Sequence, residues 1–135
     1  MIYSIVYVSS AAPSLTKNDI QDVFNFTIDW NLDNNISGFL VHKDSNFIQL
    51  LEGEEKIVKN LFERIKEDNR HKDIIPIIQE KFPHRSFDGY KSDFIIYDTN
   101  ILLKELLSYL DYLKLLDDEK ITKTVTTVEE ILKVL

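Results

Sequence analysis

The stretch SNFIQLLEG, residues 45–53, places a polar residue in the middle of an apolar strand. Side chains along a strand alternate between the two faces of a sheet, so Gln49 points the same way as Phe47 and Leu51. If that face is buried, the carboxamide is buried too, and leaving it unpaired would cost about 1–3 kcal/mol. The sequence therefore predicts a specific partner for Gln49, and that partner bears on the function.

The composition excludes several classes of function. With 135 residues, 44% hydrophobic and 29% charged, the chain is predicted to form one soluble globular domain with a small appendage. It has no cysteine and its three histidines lack metal-ligand spacing, so we expect no metal site. The net charge of −7 argues against nucleic acid and anionic membrane as partners. The N-terminus lacks the basic region of a signal peptide and no apolar run reaches ~18 residues, which predicts a cytoplasmic protein.

The hydrophobic periodicity predicts an α+β fold. The predicted strands are 2–8, 36–42, 47–52, 73–80 and about 90–97, and the predicted helices are about 16–30 and 54–68. Residues 9–13 are predicted to form a loop, and Thr16 with Asp19 resembles a capping box that opens the first helix. Pro76 predicts an edge position or a bulge for the fourth strand. The order β-α-β-β-α-β plus one strand is ferredoxin-like, with two helices on one face of the sheet.

The C-terminal residues predict two further helices. The first carries a leucine stripe that consists of Ile101, Leu102, Leu103, Leu106, Leu107, Leu110, Leu113 and Leu116. Thr127 with Glu130 predicts the cap of the second helix, and the charged link 117–120 is predicted to be flexible. We expect this tail to pack on the uncovered sheet face or on a second subunit. The chain is thus divided into a core domain, 1–97, and a C-terminal helical extension, 98–135.

Four segments predict a site in the groove between the first two helices. These helices follow the first and third strands, so they lie side by side on the same sheet face, with Tyr7 and Gln49 pointing toward the groove. A planar ligand in this groove would also contact both helices. The predicted contacts on the helices are Val23, Thr27, Asn31 and Ile65, and the segment RIKEDNRH, residues 64–71, closes the second helix.

These segments resemble those of the BLUF family, blue-light sensors that bind FAD. The matching residues are Tyr7 and Ser9 in YVS, Asn31 with NISG after it, FIQLLEG at 47–53, and RIKEDNRH. The resemblance covers residues 1 to about 97, in the family's order and spacing. It implies FAD as the cofactor, with FMN also possible.

The resemblance also implies a role for each matched residue. Tyr7 would donate an electron to the photoexcited flavin, with a proton following, and Gln49 would lie between Tyr7 and the flavin N5/O4 edge. Gln49 would then rotate or tautomerise and strengthen its hydrogen bond to O4, while Asn31 would hold the O4 and N3 edge. The residues that would lie toward O2 or the ribityl-phosphate end are Arg64, Asp68, Arg70 and His71.

Three positions depart from the family's pattern. The usual FxxWxM motif reads FDGYKSDF here, so Tyr90 takes the place of the tryptophan and Ser92 that of the methionine. Tyr90 is a possible second electron donor, and Ser92 is a possible hydrogen-bond partner of Gln49. Beside Asn31, where the family often has a polar residue, this chain has Trp30, which would stack near the ligand, quench flavin emission or belong to the core.

The sequence favours a sensor over an enzyme. Its three glycines form no phosphate-binding loop, and no GxSxG motif is present. We expect a flavin-binding photoreceptor that signals through the fifth strand and C-terminal helices, by homo-oligomer formation or to a partner protein. One alternative is a BLUF-like oligomerisation module without flavin. Another is an acylphosphatase-like hydrolase, which would need an arginine after the first strand, where residues 9–14 have none.

Overall fold

The structure is a computed structural model that describes residues 1–88, 95–96 and 100–134. The strands are β1 (Ile2–Ala11), β2 (Ser37–Lys43), β3 (Asn46–Gly53), β4 (His71–Phe82) and β5 (Ile95–Ile96). The helices are α1 (Lys17–Asp33), α2 (Glu55–Glu67), α3 (Asn100–Lys114) and α4 (Glu119–Val134). The predicted order of elements is confirmed, including the two C-terminal helices. Of the predicted fifth strand, residues 90–94 and 97 lie outside the described residues.

The five strands form one sheet in the order β4-β1-β3-β2-β5. The strands β1, β2, β3 and β4 pair antiparallel, and β5 runs parallel to β2. This is the α+β, ferredoxin-like arrangement that the element order predicts. The register of β1 and β3 places Tyr7 directly opposite Gln49, so two predicted site residues face each other at the centre of the sheet.

The strand β4 lies at the edge of the sheet and is irregular near Pro76, as predicted. Its register against β1 shifts between Val6 and Tyr7, which are opposite Ile78 and Pro76. The prediction of a loop at residues 9–13 is partly wrong, because β1 continues to Ala11. Ala11, the last residue of β1, pairs with His71 of β4. This pairing makes both strands longer than their apolar segments.

Tight backbone geometry holds β2 against β3. The hairpin between them turns at Asp44 and Ser45, whose φ angles of 50° and 64° are those of a two-residue turn that matches strand twist. In β2, Gly38 has a φ of +141°, and a Cβ atom there would lie 1.9 Å from the Leu50 carbonyl oxygen. Only glycine fits this position, which keeps β2 close to the strand that carries Gln49.

The helices α1 and α2 cover one face of the sheet. The predicted capping box at the start of α1 is confirmed, because Asp19 N donates to Thr16 Oγ1 over 3.1 Å and Thr16 N donates to Asp19 Oδ2 over 2.9 Å. The buried contacts of α1 are Ile20 and Phe24 with Leu40 and Phe47. Those of α2 are Val58, Leu61 and Phe62 with Tyr3, Ile5, Tyr7, Ile36 and Leu51. The two helices therefore stand over different strands and leave a groove between them.

The helices α3 and α4 cover the other face of the sheet. This is one of the two placements predicted for the tail, the other being on a second subunit. The core on this side consists of Val6, Phe39, Val41, Ile48, Leu50, Phe87, Leu106, Leu110, Leu113, Val125, Val128 and Leu132. Of the predicted leucine stripe, Leu106, Leu110 and Leu113 are buried in this core and Leu103 and Leu107 pack against it, whereas Leu116 is 49% exposed. The side chains of Ile101 and Leu102 lie outside the described residues. Within the described ranges, no helix has the length and apolar character needed to cross a membrane.

The predicted cap of the last helix is wrong. The helix α4 begins at Glu119, eight residues before Thr127, because Asp118 Oδ1 accepts hydrogen bonds from Lys120 N over 2.9 Å and Ile121 N over 3.1 Å. Thr127 lies inside the helix, where its hydroxyl donates to the Lys123 carbonyl over 2.9 Å. The link 117–120 is a tight turn with a helix cap, since Asp117 takes a φ of 54°.

Candidate functional site

A groove opens between α1 and α2 above the strands β1, β2 and β3. It encloses about 560 Å³, counting its open mouth. It is lined by Tyr7, Val23, Phe26, Thr27, Trp30, Asn31, Leu40, Phe47, Gln49, Leu61, Ile65, Asp68, Arg70 and His71. A pocket of this size with apolar walls and a few polar groups suits a small organic ligand.

Tyr7 and Gln49 form a buried pair at the floor of the groove. Each side chain is only 3% exposed, and the Tyr7 hydroxyl donates a hydrogen bond to Gln49 Oε1. Burial raises the pKa of Tyr7 well above its usual value, and the negative charge of Asp68 adds to this effect. The phenol therefore keeps its proton at neutral pH. With its oxygen occupied by Tyr7, the Gln49 carboxamide presents its NH₂ group to the groove.

The Tyr7 ring is held by aromatic neighbours. Its centroid lies 5.5 Å from that of Phe62 and 6.2 Å from that of His71, the latter in an edge-on arrangement. Such contacts fix the ring beyond the effect of burial alone. The hydroxyl group is thus aimed at one acceptor.

Two hydrogen bonds orient His71. Its Nε2 lies 2.6 Å from the Ile65 carbonyl oxygen, and its Nδ1 lies 2.8 Å from Ser9 Oγ. Because a carbonyl only accepts, Nε2 donates to Ile65, and Nδ1 forms the second hydrogen bond with the Ser9 hydroxyl. The ring thereby connects the end of α2 to β1 and β4.

Asn31 provides a free donor at the end of α1. The residue is 4% exposed, and its Nδ2 has no hydrogen-bond partner among the described residues. An unpaired buried amide costs about 1–3 kcal/mol. A ligand with an acceptor oxygen in the groove would recover this cost, so the donor fits a carbonyl-bearing ligand such as the flavin ring.

Asp68 and Arg70 form an ion pair at the mouth of the groove. Arg70 Nη2 lies 2.6 Å from Asp68 Oδ2, and Arg70 Nε lies 3.0 Å from Asp68 Oδ1. The hydrogen bonds from Arg70 hold the pKa of the Asp68 carboxyl below its usual range. The pair is about one-third exposed, so it closes the end of the groove without sealing it.

Trp30 lines the groove, whereas Arg64 does not. The Arg64 guanidinium lies over the Trp30 ring, 4.8 Å from its centroid, and the Phe26 ring stacks on Trp30 at 6.2 Å. The Trp30 Nε1 is buried, and no acceptor from the described residues reaches it. The other predicted contact residues all line the groove, while Tyr90 and Ser92 lie outside the described residues.

The sequence reasoning missed four lining residues and one buried carboxylate. Phe26, Leu40, Phe47 and Leu61 complete the walls of the groove, and of these Leu40 lies directly opposite Gln49 in the β2–β3 register. The alternation of side chains along β2 predicts that Leu40 faces the groove. Phe26 lies on the exposed face of α1, where the sequence pattern predicts no contact with a ligand. Glu52, only 3% exposed, points to the sheet face opposite that of Gln49.

Glu52 holds the segment that follows β4. Its carboxylate accepts hydrogen bonds from Ser37 Oγ over 2.9 Å, Ser86 N over 2.9 Å and Phe87 N over 2.6 Å. Burial raises the pKa of Glu52 despite these three bonds and the nearby charge of Arg85. The buried carboxylate therefore anchors the connection between β4 and β5 to the strand that carries Gln49.

The fold and the groove define a small flavin-sensor domain, and the chain belongs to the BLUF family. The family, described as sensors of blue-light using FAD, matches residues 2–93. Blue-light sensing with FAD is the property by which this family is described.

Comparison with curated proteins finds relatives that are much longer than the chain. The chain is 34% identical over 74 residues to the photoactivated adenylate cyclase subunit alpha-like protein FB of Euglena gracilis, which is 55% of this chain and 7% of that protein. It is 29% identical over 87 residues to the blue light- and temperature-regulated antirepressor BluF of Escherichia coli, which is 64% of this chain and 22% of that protein.

Comparison with solved structures finds the same fold. The photo-activated state of BlsA is 25% identical with a TM-score of 0.69, and the match covers 93% of this chain and 91% of that chain. BlrP1 of Klebsiella pneumoniae with FMN and cyclic diGMP is 27% identical with a TM-score of 0.69, and this match covers 81% of this chain and 30% of that chain.

Proposed function

We propose that the groove binds the isoalloxazine ring of FAD and that the Tyr7–Gln49 pair converts light absorption into a change of hydrogen bonding. The observation that carries this proposal is the buried pair at the floor of a groove that also presents the unpaired Asn31 amide. Val23, Thr27 and Ile65 supply the walls for a planar ring. FMN, which has the same ring, would satisfy the same contacts.

The residues of the groove would contact different parts of the bound flavin, according to their chemistry. Asn31 would hold the O4 and N3 edge, and Gln49 would lie between Tyr7 and the N5/O4 edge. His71, fixed by Ser9 and Ile65, forms part of the wall near Tyr7. Asp68 and Arg70 lie toward the ribityl-phosphate end, where the exposed side of the guanidinium suits an anion.

When bound, the flavin would supply blue-light absorption and an acceptor for one electron and one proton. Tyr7 would give up the electron and, along its hydrogen bond to Gln49 Oε1, the Oη proton, and both would pass to the flavin. Since the raised pKa keeps the phenol protonated in the dark, the proton is present when it is needed. Gln49 then rotates or tautomerises, and its carboxamide pairs differently with Tyr7 and with the ligand edge.

The rearrangement at Gln49 is a small signal. Exchanging one hydrogen bond for another changes the free energy by about 0.5–1.5 kcal/mol, which shifts an equilibrium by about tenfold at most. A two-state element must therefore amplify it. The β3 strand, the Glu52 contacts and the α3 helix form a continuous path from Gln49 to the opposite sheet face.

The C-terminal helices are the proposed output. In this proposal residues 1–97 form the sensor domain without catalytic turnover, and residues 98–135 form a cap that signals to a partner protein or to a second copy. Supporting this role, Tyr112, Leu115 and Leu116 at the end of α3 are 49–80% exposed. Apolar side chains grouped in this way are typical of a protein interaction surface.

A light-minus-dark absorption spectrum of the purified protein tests the sensor function. The protein should be yellow, and blue light should shift its flavin band to longer wavelength and let it recover in the dark. A flavin-free oligomerisation module, the alternative function, would be colourless after expression in a flavin-replete host. A coloured protein whose band does not move under illumination would refute the photochemical part of the proposal.

A further inference from the structure

We infer that Trp30 is a second hydrogen-bond donor to the flavin, with its indole N–H directed at the C2 carbonyl of the pyrimidine ring. This inference rests on the proposed binding of flavin in the groove and adds a specificity-determining residue to it. Trp30 and Asn31 are consecutive residues at the end of α1, and both line the groove.

The first observation is that the two neighbouring side chains both have an unsatisfied hydrogen-bond donor. Trp30 Nε1 and Asn31 Nδ2 are both buried donors without a partner, and no other buried side-chain nitrogen or oxygen in the described residues shares this condition. Buried polar groups in folded proteins are almost always paired. Two unpaired donors at adjacent positions of one groove indicate a ligand that offers two acceptors.

The second observation is the chemistry of the ligand. The pyrimidine ring of a flavin has two carbonyl oxygens, O4 and O2, on either side of N3. In the proposed binding mode, Gln49 and Asn31 share the edge that contains O4 and N3. The remaining carbonyl, O2, is then the acceptor for the remaining donor, the Trp30 indole.

The third observation concerns Arg64, the cation on α2 that the family resemblance places toward O2 or the ribityl-phosphate end. Its guanidinium lies 4.8 Å from the centroid of the Trp30 ring rather than among the groove-lining side chains. A cation over an indole face is stabilising and limits the rotation of the ring. With Phe26 stacked on the same residue, the indole is held in place by its neighbours before any ligand binds.

A single tryptophan makes the inference directly measurable. Because Trp30 is the only tryptophan of the chain, protein labelled with ¹⁵N-tryptophan has one indole N–H signal. Upon addition of FAD to the flavin-free protein, the indole proton should shift downfield and exchange more slowly with water. An indole proton that still exchanges rapidly while the absorption spectrum shows bound flavin would overturn the inference.

Three variants separate Trp30 from its neighbours. Trp30→Phe, which keeps a ring but removes the donor, should weaken FAD binding by about 3- to 10-fold and raise the infrared C2=O stretching frequency of the bound flavin. Phe26→Leu removes a stacking ring and part of the groove wall but no donor, so it should change that frequency less than Trp30→Phe does. Arg64→Gln, which removes the cation over the indole but keeps the N–H donor, should also change it less than Trp30→Phe, and a frequency that moves with Arg64→Gln instead of Trp30→Phe would overturn the assignment.

The failure of this inference differs from the failure of the proposed function. If wild-type protein binds no FAD in the titration, the flavin site itself is refuted. If wild-type protein binds FAD and Trp30→Phe binds it with equal affinity and an equal C2=O frequency, only the role of Trp30 is refuted.

Discussion

At the scale of single residues, the site depends on which atoms of one carboxamide are occupied. The Tyr7 hydroxyl takes the oxygen of Gln49, so the nitrogen of Gln49 remains for the groove. Because both side chains are buried, neither can exchange its partner for water, and breaking the Tyr7–Gln49 hydrogen bond is therefore costly in free energy. A shift of one hydrogen bond therefore changes what the groove presents to a ligand.

Replacing Tyr7 by phenylalanine tests the electron and proton donor. Tyr7→Phe keeps the ring packing against Phe62 and should retain flavin, but the light-induced red shift should be lost because no phenol is present to be oxidised. The measurement is the light-minus-dark spectrum. Tyr3→Phe, at another buried tyrosine on the same face of β1, should shift normally. A normal shift in Tyr7→Phe would mean that the donor is another residue.

Replacing Gln49 by leucine tests the switch. Gln49→Leu has a similar volume and should still bind flavin, with an affinity reduced by about tenfold at most because one hydrogen bond is lost. The dark spectrum should remain that of a bound flavin, and the red shift should be absent. If the variant completes a full photocycle, the hydrogen-bond rearrangement occurs elsewhere.

At the scale of elements, β3 connects the two faces of the sheet. Gln49 faces the groove, and Glu52, three residues later, faces the C-terminal helices and holds Ser86 and Phe87. Because β3 pairs with β1 on one side and with β2 on the other, a shift of its backbone would alter the hydrogen bonds to both neighbours. The hydrogen bonds of Glu52 to Ser86 and Phe87 connect the segment after β4 to β3.

The raised pKa of Glu52 predicts a pH dependence of stability. A carboxyl whose pKa is higher in the folded state holds its proton to higher pH than in the unfolded chain, where the usual value is 4.5. Its contribution to the free energy of unfolding therefore falls as the pH rises above about 4.5, by at most about 1.4 kcal/mol per pH unit.

Urea unfolding of wild type and Glu52→Gln across this pH range isolates the contribution of Glu52. The free energy of unfolding of the wild type, minus that of the variant, should decrease as the pH rises from 4.5 through the raised pKa of Glu52. A difference that is constant or that grows with pH would contradict the effect of burial on this carboxyl.

At the scale of the whole molecule, the sheet separates the ligand groove from the proposed output surface. The Tyr109 hydroxyl on α3 donates to the Ser86 carbonyl over 2.5 Å, and Ser86 N donates to Glu52. This chain of hydrogen bonds joins α3 to β3. It offers a physical route from the groove to the C-terminal helices.

Replacing Tyr109 by phenylalanine should uncouple the photochemistry from the output. Tyr109→Phe should keep the flavin red shift but reduce the difference in amide hydrogen exchange of α3 between light and dark, because the bond to Ser86 is removed. Tyr112→Phe, at an exposed neighbour on the same helix, should retain the wild-type difference. If Tyr109→Phe also retains the full difference, the signal travels by another route.

The sequence alone determined the order of elements, the family and the central pair of the site. Alternation in β1 and β3 placed Tyr7 and Gln49 on one face, and the capping residues of α1 marked the start of that helix, because these signals are local to a few residues. Local signals failed at the C-terminal end of β1 and at the start of α4. Strand pairing with β4 extended the former, and an earlier aspartate cap moved the latter.

Only the tertiary structure decided which side chains remain unpaired. Whether Asn31 and Trp30 find partners depends on groups from α2 and the sheet, which are distant in sequence. The same holds for Arg64, which lies on the Trp30 ring, and for Glu52, whose partners are 15 and 34–35 residues away. Hydrogen bonding and burial are properties of the assembled fold, so they become visible only when the elements are packed together.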